Sequence, residues 1–204
     1  MSIQSAPMPA TLPIKTGRII FRQRRVGMNG VVFDMLKLRS MHENCDDTVH
    51  REAILHYQHG NALNGDTATP YKLQNDPRIT KVGKFLRKAS LDEHPQFWNV
   101  LRGEMSLVGP RPPLPYEVEL YSPRDMLRLS GKPGLTGPWQ VYRRSRVTFE
   151  EMVEMDIAYL QRQSLWEDLK LIALTIPVVL KQETKDSPTR GERLPHSCTG
   201  MKAA

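Results

Sequence analysis

Hydrophobic positions alternate loosely with polar ones over two short stretches near the start of the chain: Ile19, Phe21 and Val26, then Val31, Phe33, Met35 and Leu38. Between them stands Gly27-Met28-Asn29-Gly30, whose Asn-Gly pair tolerates positive φ, so the pattern predicts a β-hairpin. A less regular stretch at 47–58 predicts a helix, followed by the loop GNALNGDTATP. After Asp76-Pro77, the positions Ile79, Val82, Phe85, Leu86 and Ala89 share the face of a short amphipathic helix. The next helix is expected to begin between Asp92 and Pro95 and to bury Phe97, Trp98 and Leu101 before Gly103 ends it. Met105 to Val108 reads as a brief extended segment that enters the stiff turn GPRPPLP. Thr148 with Glu151 and Ser164 with Glu167 form capping boxes that open two more helices.

The last helix turns apolar on every side from Leu171 to Leu180 (LIALTIPVVL), with Pro177 inside it. Ten uncharged residues fall short of the ~20 that a spanning helix needs. The segment therefore reads either as a buried terminal helix or as one lying in a membrane interface. Residues 1–16 and 182–204, polar or Pro-punctuated, read as tails around a single domain at 17–181. The expected fold is α+β and mainly helical, with a small hairpin at its N-terminal end.

Composition narrows the classes. A chain of 204 residues has room for one hydrophobic core. With 39% hydrophobic and 25% charged residues it is too apolar for wholesale disorder and too polar for a multi-span membrane protein. The first fifteen residues hold no apolar run of the kind a secretory signal needs. Cys45 and Cys198 lie far apart without a CxxC spacing, which excludes a disulfide scaffold and a cysteine zinc site and fits a reducing, cytosolic side. The net charge of +7 calls for a polyanionic partner: nucleic acid, an anionic membrane surface or a phosphorylated substrate. The basic clusters Lys15, Arg18, Arg22, Arg24, Arg25 and Arg143, Arg144, Arg146 lack interleaved aromatics, and no helix-turn-helix or zinc finger accompanies them. Both read as solvated faces, and no nucleic acid is expected. There is no GxxxxGK[ST] phosphate loop, and His56-x-x-His59 lacks the acidic residues of a histidine metal site.

Three constellations could carry chemistry. In Arg87-Lys-Ala-Ser-Leu-Asp92-Glu93-His-Pro95, Ser90 and Glu93 have the spacing of a capping box, but Pro95 would then fall where a helical N–H is needed. Either way two adjacent carboxylates sit near a helix start, a location that binds anions and keeps a carboxylate ionised. In Gly109-Pro110-Arg111-Pro112-Pro113, prolines on both sides fix the backbone and present one guanidinium, a fork suited to phosphate or carboxylate. Asp156 falls on the apolar stripe Met152, Met155, Tyr159, Leu160, where a carboxylate needs a partner; a functional role and a structural ion pair stay equally open.

The segments 21–41, 76–115 (DPRITKVGKFLRKASLDEHPQFWNVLRGEMSLVGPRPPLP), 132–141 (KPGLTGPWQV) and 154–172 together resemble the bacterial sugar transferases. More narrowly, they are similar to the catalytic domain of monotopic polyprenyl-phosphate phosphoglycosyl transferases. The resemblance implies transfer of a sugar-1-phosphate from a nucleotide diphosphate sugar, usually a UDP-sugar, onto undecaprenyl phosphate. The implied place is the cytoplasmic face of the plasma membrane, where the reaction starts exopolysaccharide, capsule, O-antigen or glycoprotein glycan synthesis. It further implies Asp92 as a nucleophile forming an aspartyl-phosphosugar, with Glu93 and Asp92 holding Mg²⁺. Arg87, Arg111 and Arg144 would bind substrate phosphate, with Asp156 in support, and some helices would be interfacial.

The chain departs from the family twice. Residues 1–14 cannot form the apolar re-entrant helix that usually precedes the domain, so a truncated start, a separated catalytic half or a membrane-anchoring partner is expected, with peripheral attachment to an anionic membrane surface. Arg143 stands where glycine is usual, which bears on the loop that presents Arg144. The alternative function is a non-catalytic remnant that binds anionic lipid or nucleotide sugar; a nucleic-acid module has only its charge in favour.

Overall fold

The computed structural model describes residues 19–42, 48–58, 76, 78–143 and 147–182. The hairpin forms as the alternation predicts. β1 (Ile20–Val26) pairs antiparallel with β2 (Val32–Leu38), in register from Ile20 opposite Leu38 to Val26 opposite Val32. Asn29 at φ 56° and Gly30 at φ 80° take the left-handed conformation in the turn, the one place in the hairpin where ordinary side chains would be strained. Register puts Gln23 and Arg25 opposite Met35 and Phe33, and the two-residue period places Lys37 on the same face.

α1 (Thr48–Gln58) and α2 (Lys81–Lys88) follow, then a 3₁₀ turn at Leu91–Glu93 and α3 (Gln96–Leu101). β3 (Ser106–Val108) runs parallel to β4 (Gly134–Thr136), a pairing that the extended reading of 105–108 anticipated on one side only. A Cβ on Gly134 would stand 2.1 Å from the Gly109 nitrogen, so these backbones approach only because neither residue has a side chain. Short α4 (Pro115–Val118) and α5 (Pro138–Tyr142) flank β4 in sequence, with a 3₁₀ turn at Asp125–Leu129 between α4 and β4. α6 (Phe149–Arg162) and α7 (Leu165–Gln182) complete the α+β fold.

The main core cluster joins Tyr57 of α1 and Trp139 of α5 to Val147 and to Met152, Val153 and Ile157 of α6. A second joins Phe33, Met35 and Met105, and a third joins Val108, Tyr159 and Leu171. The Thr148 capping box is complete, Thr148 Oγ1 accepting from the Glu151 N–H and Glu151 Oε2 from the Thr148 N–H; at Ser164 one half is made, its Oγ accepting from the Glu167 N–H. The helix after Asp92 begins at Gln96 with Pro95 as N-cap, where its missing N–H costs nothing. The Ser90 box does not form; Ser90 sits at φ 53° and caps nothing with its side chain.

Two expectations are corrected. α3 does not bury Phe97, Trp98 and Leu101, which are 49%, 53% and 77% exposed; it buries Gln96 and Asn99. Asn99 is held because β2 offers it partners: its Oδ1 accepts from the Leu36 N–H at 3.0 Å, and its Nδ2 donates to the Asp34 carbonyl at 2.8 Å and to Glu104 at 2.7 Å. α2 is likewise turned outward at Val82 and Phe85, and its inner contact is Gly83, where a Cβ would stand 1.9 Å from the Ser40 carbonyl oxygen. The apolar stretch of α7 divides: Leu171 is fully buried against Val108 and Tyr159, while Leu174 and Ile176 are exposed. The tails expected at 1–16 and 182–204 lie, Gln182 apart, outside the described residues.

Candidate functional site

The hairpin, the Leu91–Glu93 turn and the proline-rich loop converge on one cleft lined by Arg25, Lys37, Glu93, Gln96, Arg111 and Gln140. Each lining group has a local reason for its place. Arg25 and Lys37 occupy inward positions of the hairpin that Phe33 and Met35 also occupy, so both cations are carried indoors by strand register. Arg25 donates to the Pro112 carbonyl at 2.9 Å and to Gln23 Oε1 at 2.9 Å, which ties β1 to the proline-rich loop. Lys37 Nζ lies 3.4 Å from Glu93 Oε1 and ties β2 to the carboxylate turn.

Asp92 is buried, 8% exposed, immediately before Glu93. Burial and the neighbouring Glu93 charge push its carboxyl above the ordinary range, while Lys37, Arg87 and its own backbone N–H pull the other way. Burial, aided by Arg111 and Arg25, brings Lys37 down to about 8 against the pull of Glu93. Burial and then Arg111 bring Arg25 down to about 10. Arg111 lowers both Arg25 and Lys37, and Arg25 lowers Lys37 further, so the cleft concentrates positive charge that a bound polyanion would offset.

Of the sequence-predicted residues, Glu93 and Arg111 line this cleft, and Asp92, next to Glu93 in the chain, is within electrostatic reach of Lys37 and Arg87. Arg87, at the end of α2, donates from Nε to Ser40 Oγ at 2.8 Å and its charge reaches Asp92. Arg111 is half-buried, and its charge is felt by both Arg25 and Lys37. Asp156 is not in the cleft. It is fully buried and pairs at 2.6 Å with Arg128, which is 2% exposed. Arg128 also donates to the Tyr121 hydroxyl at 2.8 Å and to the Arg111 carbonyl at 3.2 Å. Burial opposes the Arg128 charge, but Tyr121, Asp156 and Glu117 outweigh it and hold the guanidinium charged. Among the described residues, Asp156 connects to the site through Arg128 and the backbone of Arg111.

Arg144 lies outside the described residues. Arg143 takes φ −118°, a conformation open to any residue, so the absence of glycine there strains nothing. Reading the sequence missed Arg25 as a site residue, taking it for part of a solvated face, and missed Lys37 and Gln140 entirely. A signal existed for Lys37: it continues the apolar phase Phe33, Met35 of its strand.

Mg²⁺ can be tested against the donors present. Among the described residues no group of three or more His, Cys, Asp or Glu could hold a metal. Asp92 and Glu93 supply hard carboxylate oxygens whose mutual repulsion a divalent cation would relieve. This fits Mg²⁺ shared with substrate phosphate and does not fit a cage made by protein alone.

The assembly is an α+β domain in which Glu93 lines a cationic cleft and the buried Asp92 stands next to it in the chain. The chain belongs to the bacterial sugar transferase family, whose model matches residues 7–182. It is 47% identical over 165 residues to the galactosyl transferase CpsE of Streptococcus agalactiae serotype III, covering 80% of this chain and 35% of the relative. It is 45% identical over 167 residues to the UDP-galactose-lipid carrier transferase of Erwinia amylovora, covering 82% and 34%. It is 42% identical over 182 residues to the UDP-glucose:undecaprenyl-phosphate glucose-1-phosphate transferase of Caulobacter vibrioides, covering 84% and 61%. The chain thus spans about a third of the length of the first two relatives.

Proposed function

We propose that this chain transfers a sugar-1-phosphate from a UDP-sugar to undecaprenyl phosphate, with Asp92 as nucleophile. The observation that carries the reading is buried Asp92 next to half-exposed Glu93, with Lys37 and Arg87 acting on Asp92 and with Lys37, Arg111 and Arg25 beside Glu93 in the cleft. A carboxylate oxygen of Asp92 attacks the phosphorus that bears the sugar, the bond to the bridging oxygen breaks, and UMP leaves. A phosphate oxygen of the lipid then attacks the same phosphorus and returns Asp92 to its free form. Lys37, Arg111 and Arg25 neutralise the diphosphate oxygens and fix its orientation; Lys37 and then Arg87 favour the ionised form of Asp92 against burial and Glu93. Asp92 and Glu93 would hold Mg²⁺, which supplies charge neutralisation on the transferred phosphoryl group.

The relatives' names supply the donor and acceptor classes. The outward apolar residues of α2 and α3, on either side of the Asp92 turn, support delivery of the acceptor from a membrane surface on the cytoplasmic face. Among the described residues no helix is long and apolar enough to cross a membrane, so peripheral attachment is the form proposed for these residues.

The test is UMP release from UDP-glucose and UDP-galactose with Mg²⁺, with and without undecaprenyl phosphate. Lipid-stimulated release is the expected result. Binding of either nucleotide sugar without any release would favour the non-catalytic alternative.

A further inference from the structure

Two residues past β2, Ser40 is buried and meets α2 at both ends of one helix face. The N-cap of α2, Thr80, donates its N–H to the Ser40 carbonyl at 3.0 Å. Gly83 packs on the same carbonyl, and the close approach is open only to a residue without a Cβ. Arg87, a turn further on, donates from Nε to Ser40 Oγ at 2.8 Å. Positions 80, 83 and 87 are three and four apart, the interval that keeps residues on one side of a helix. The inner side of α2 is thus anchored on one serine, which is itself held in place: Met41 bridges to Ile79, and the His42 N–H donates to the Arg78 carbonyl at 2.8 Å.

The bond at Nε leaves the two terminal nitrogens of Arg87 without a hydrogen-bond partner among the described residues. Two carboxylates feel the charge of this arginine, Asp76 and Asp92. Asp76 is already engaged by Arg78, whose Nε lies 2.9 and 3.1 Å from its two oxygens and whose Nη2 lies 2.8 Å from one of them. Among the described residues no side chain forms an ion pair with Asp92.

We propose that Ser40 is a positioning residue, whose hydroxyl holds Arg87 by Nε and leaves the two terminal nitrogens for the phosphoryl group that reacts at Asp92. The inference rests on the transferase reading above and adds what aims this arginine. A guanidinium gripped at Nε keeps its plane fixed and still offers N–H groups in a fork that suits two phosphoryl oxygens. Without the grip the long side chain is free to change rotamer, and that freedom has to be given up when the transition state forms. The loss therefore falls on the chemical step, since the diphosphate is bound by Lys37, Arg111 and Arg25.

Steady-state kinetics of lipid-stimulated UMP release test this on the full chain, with UDP-glucose or UDP-galactose as donor and with Mg²⁺. Ser40→Ala should lower kcat about tenfold and leave KM for the donor within about twofold of the wild type. Circular dichroism checks that the variant is folded. In an Arg87→Ala background the same substitution should cost nothing further, because the hydroxyl acts through the arginine it holds. A radiolabelled donor keeps the slow Arg87→Ala rates readable. A folded Ser40→Ala with wild-type kcat, a raised KM in place of a lowered kcat, or a second loss of the same size on top of Arg87→Ala overturns the positioning role and leaves the transferase reading standing. Failure of the wild type to release UMP overturns both. Should Ser40→Ala not fold, Ser40→Cys takes its place, since a thiol fills nearly the same space but is a weak acceptor. The same loss of kcat is expected there, and wild-type kcat in Ser40→Cys overturns the role.

Discussion

Lys37 shows how one buried charge gives the site a measurable pH signature. Burial brings its ammonium down to about 8, so the folded chain bears the full cost of that charge below pH 8. The cost fades as pH rises towards 10.5, where an ordinary lysine would also be neutral. Stability and binding therefore move in opposite directions across this window, because a neutral Lys37 no longer attracts a diphosphate. We expect kcat/KM for the nucleotide sugar to fall as pH rises through about 8, and Lys37→Arg to carry that limb to higher pH. An identical limb in Lys37→Arg would assign the titration to another group. At Asp156 the expected effect is structural first. Asp156→Ala strands the buried Arg128 charge and should cost about 3–5 kcal/mol in denaturant unfolding, whereas an exposed ion pair costs under about 1. A cost of that lower size would mean that Arg128 finds another counter-charge.

At the scale of elements, α3 is an inverted helix. Its polar residues Gln96 and Asn99 face the hairpin, and Phe97, Trp98 and Leu101 face out. Reading apolar positions as inward was the error here, and its cause is physical. Periodicity identifies the two faces of a helix, but which one turns inward depends on what the neighbouring element offers. β2 offers an unpaired N–H at Leu36 and a carbonyl at Asp34, which Asn99 satisfies. Asn99→Leu should therefore destabilise the fold by about 1–3 kcal/mol despite adding hydrophobicity. Trp98→Asp should leave the unfolding midpoint nearly unchanged, and it should weaken flotation with anionic liposomes several-fold. If Trp98→Asp floats like the wild type, the exposed face of α3 is not the lipid contact.

For the whole molecule, local chemistry was legible and long-range chemistry was not. The Asn29-Gly30 turn, the caps at Thr148 and Ser164 and the start of α3 at Pro95 are all set by neighbours within a few residues, and the sequence shows those neighbours. Asp92, Glu93 and Arg111 stood out as candidates because each sits in a run with its own local logic, while Arg87 was marked only by the resemblance to the family. Arg25 and Gln140 were not, since their places depend on the packing of the hairpin against a loop more than eighty residues away. Asp156 was half legible: its stripe demanded a partner, but nothing local pointed to Arg128, 28 residues earlier. The cleft thus depends on contacts between distant segments, and buried Asp92, next to its Glu93, is the group on which the proposed chemistry turns. Intact mass of the full chain after incubation with UDP-glucose or UDP-galactose and Mg²⁺, without lipid, tests that carboxylate directly. One phosphosugar increment located at Asp92, and absent from Asp92→Asn, is the expected result; UMP release with no adduct, or an adduct that persists in Asp92→Asn, would contradict it.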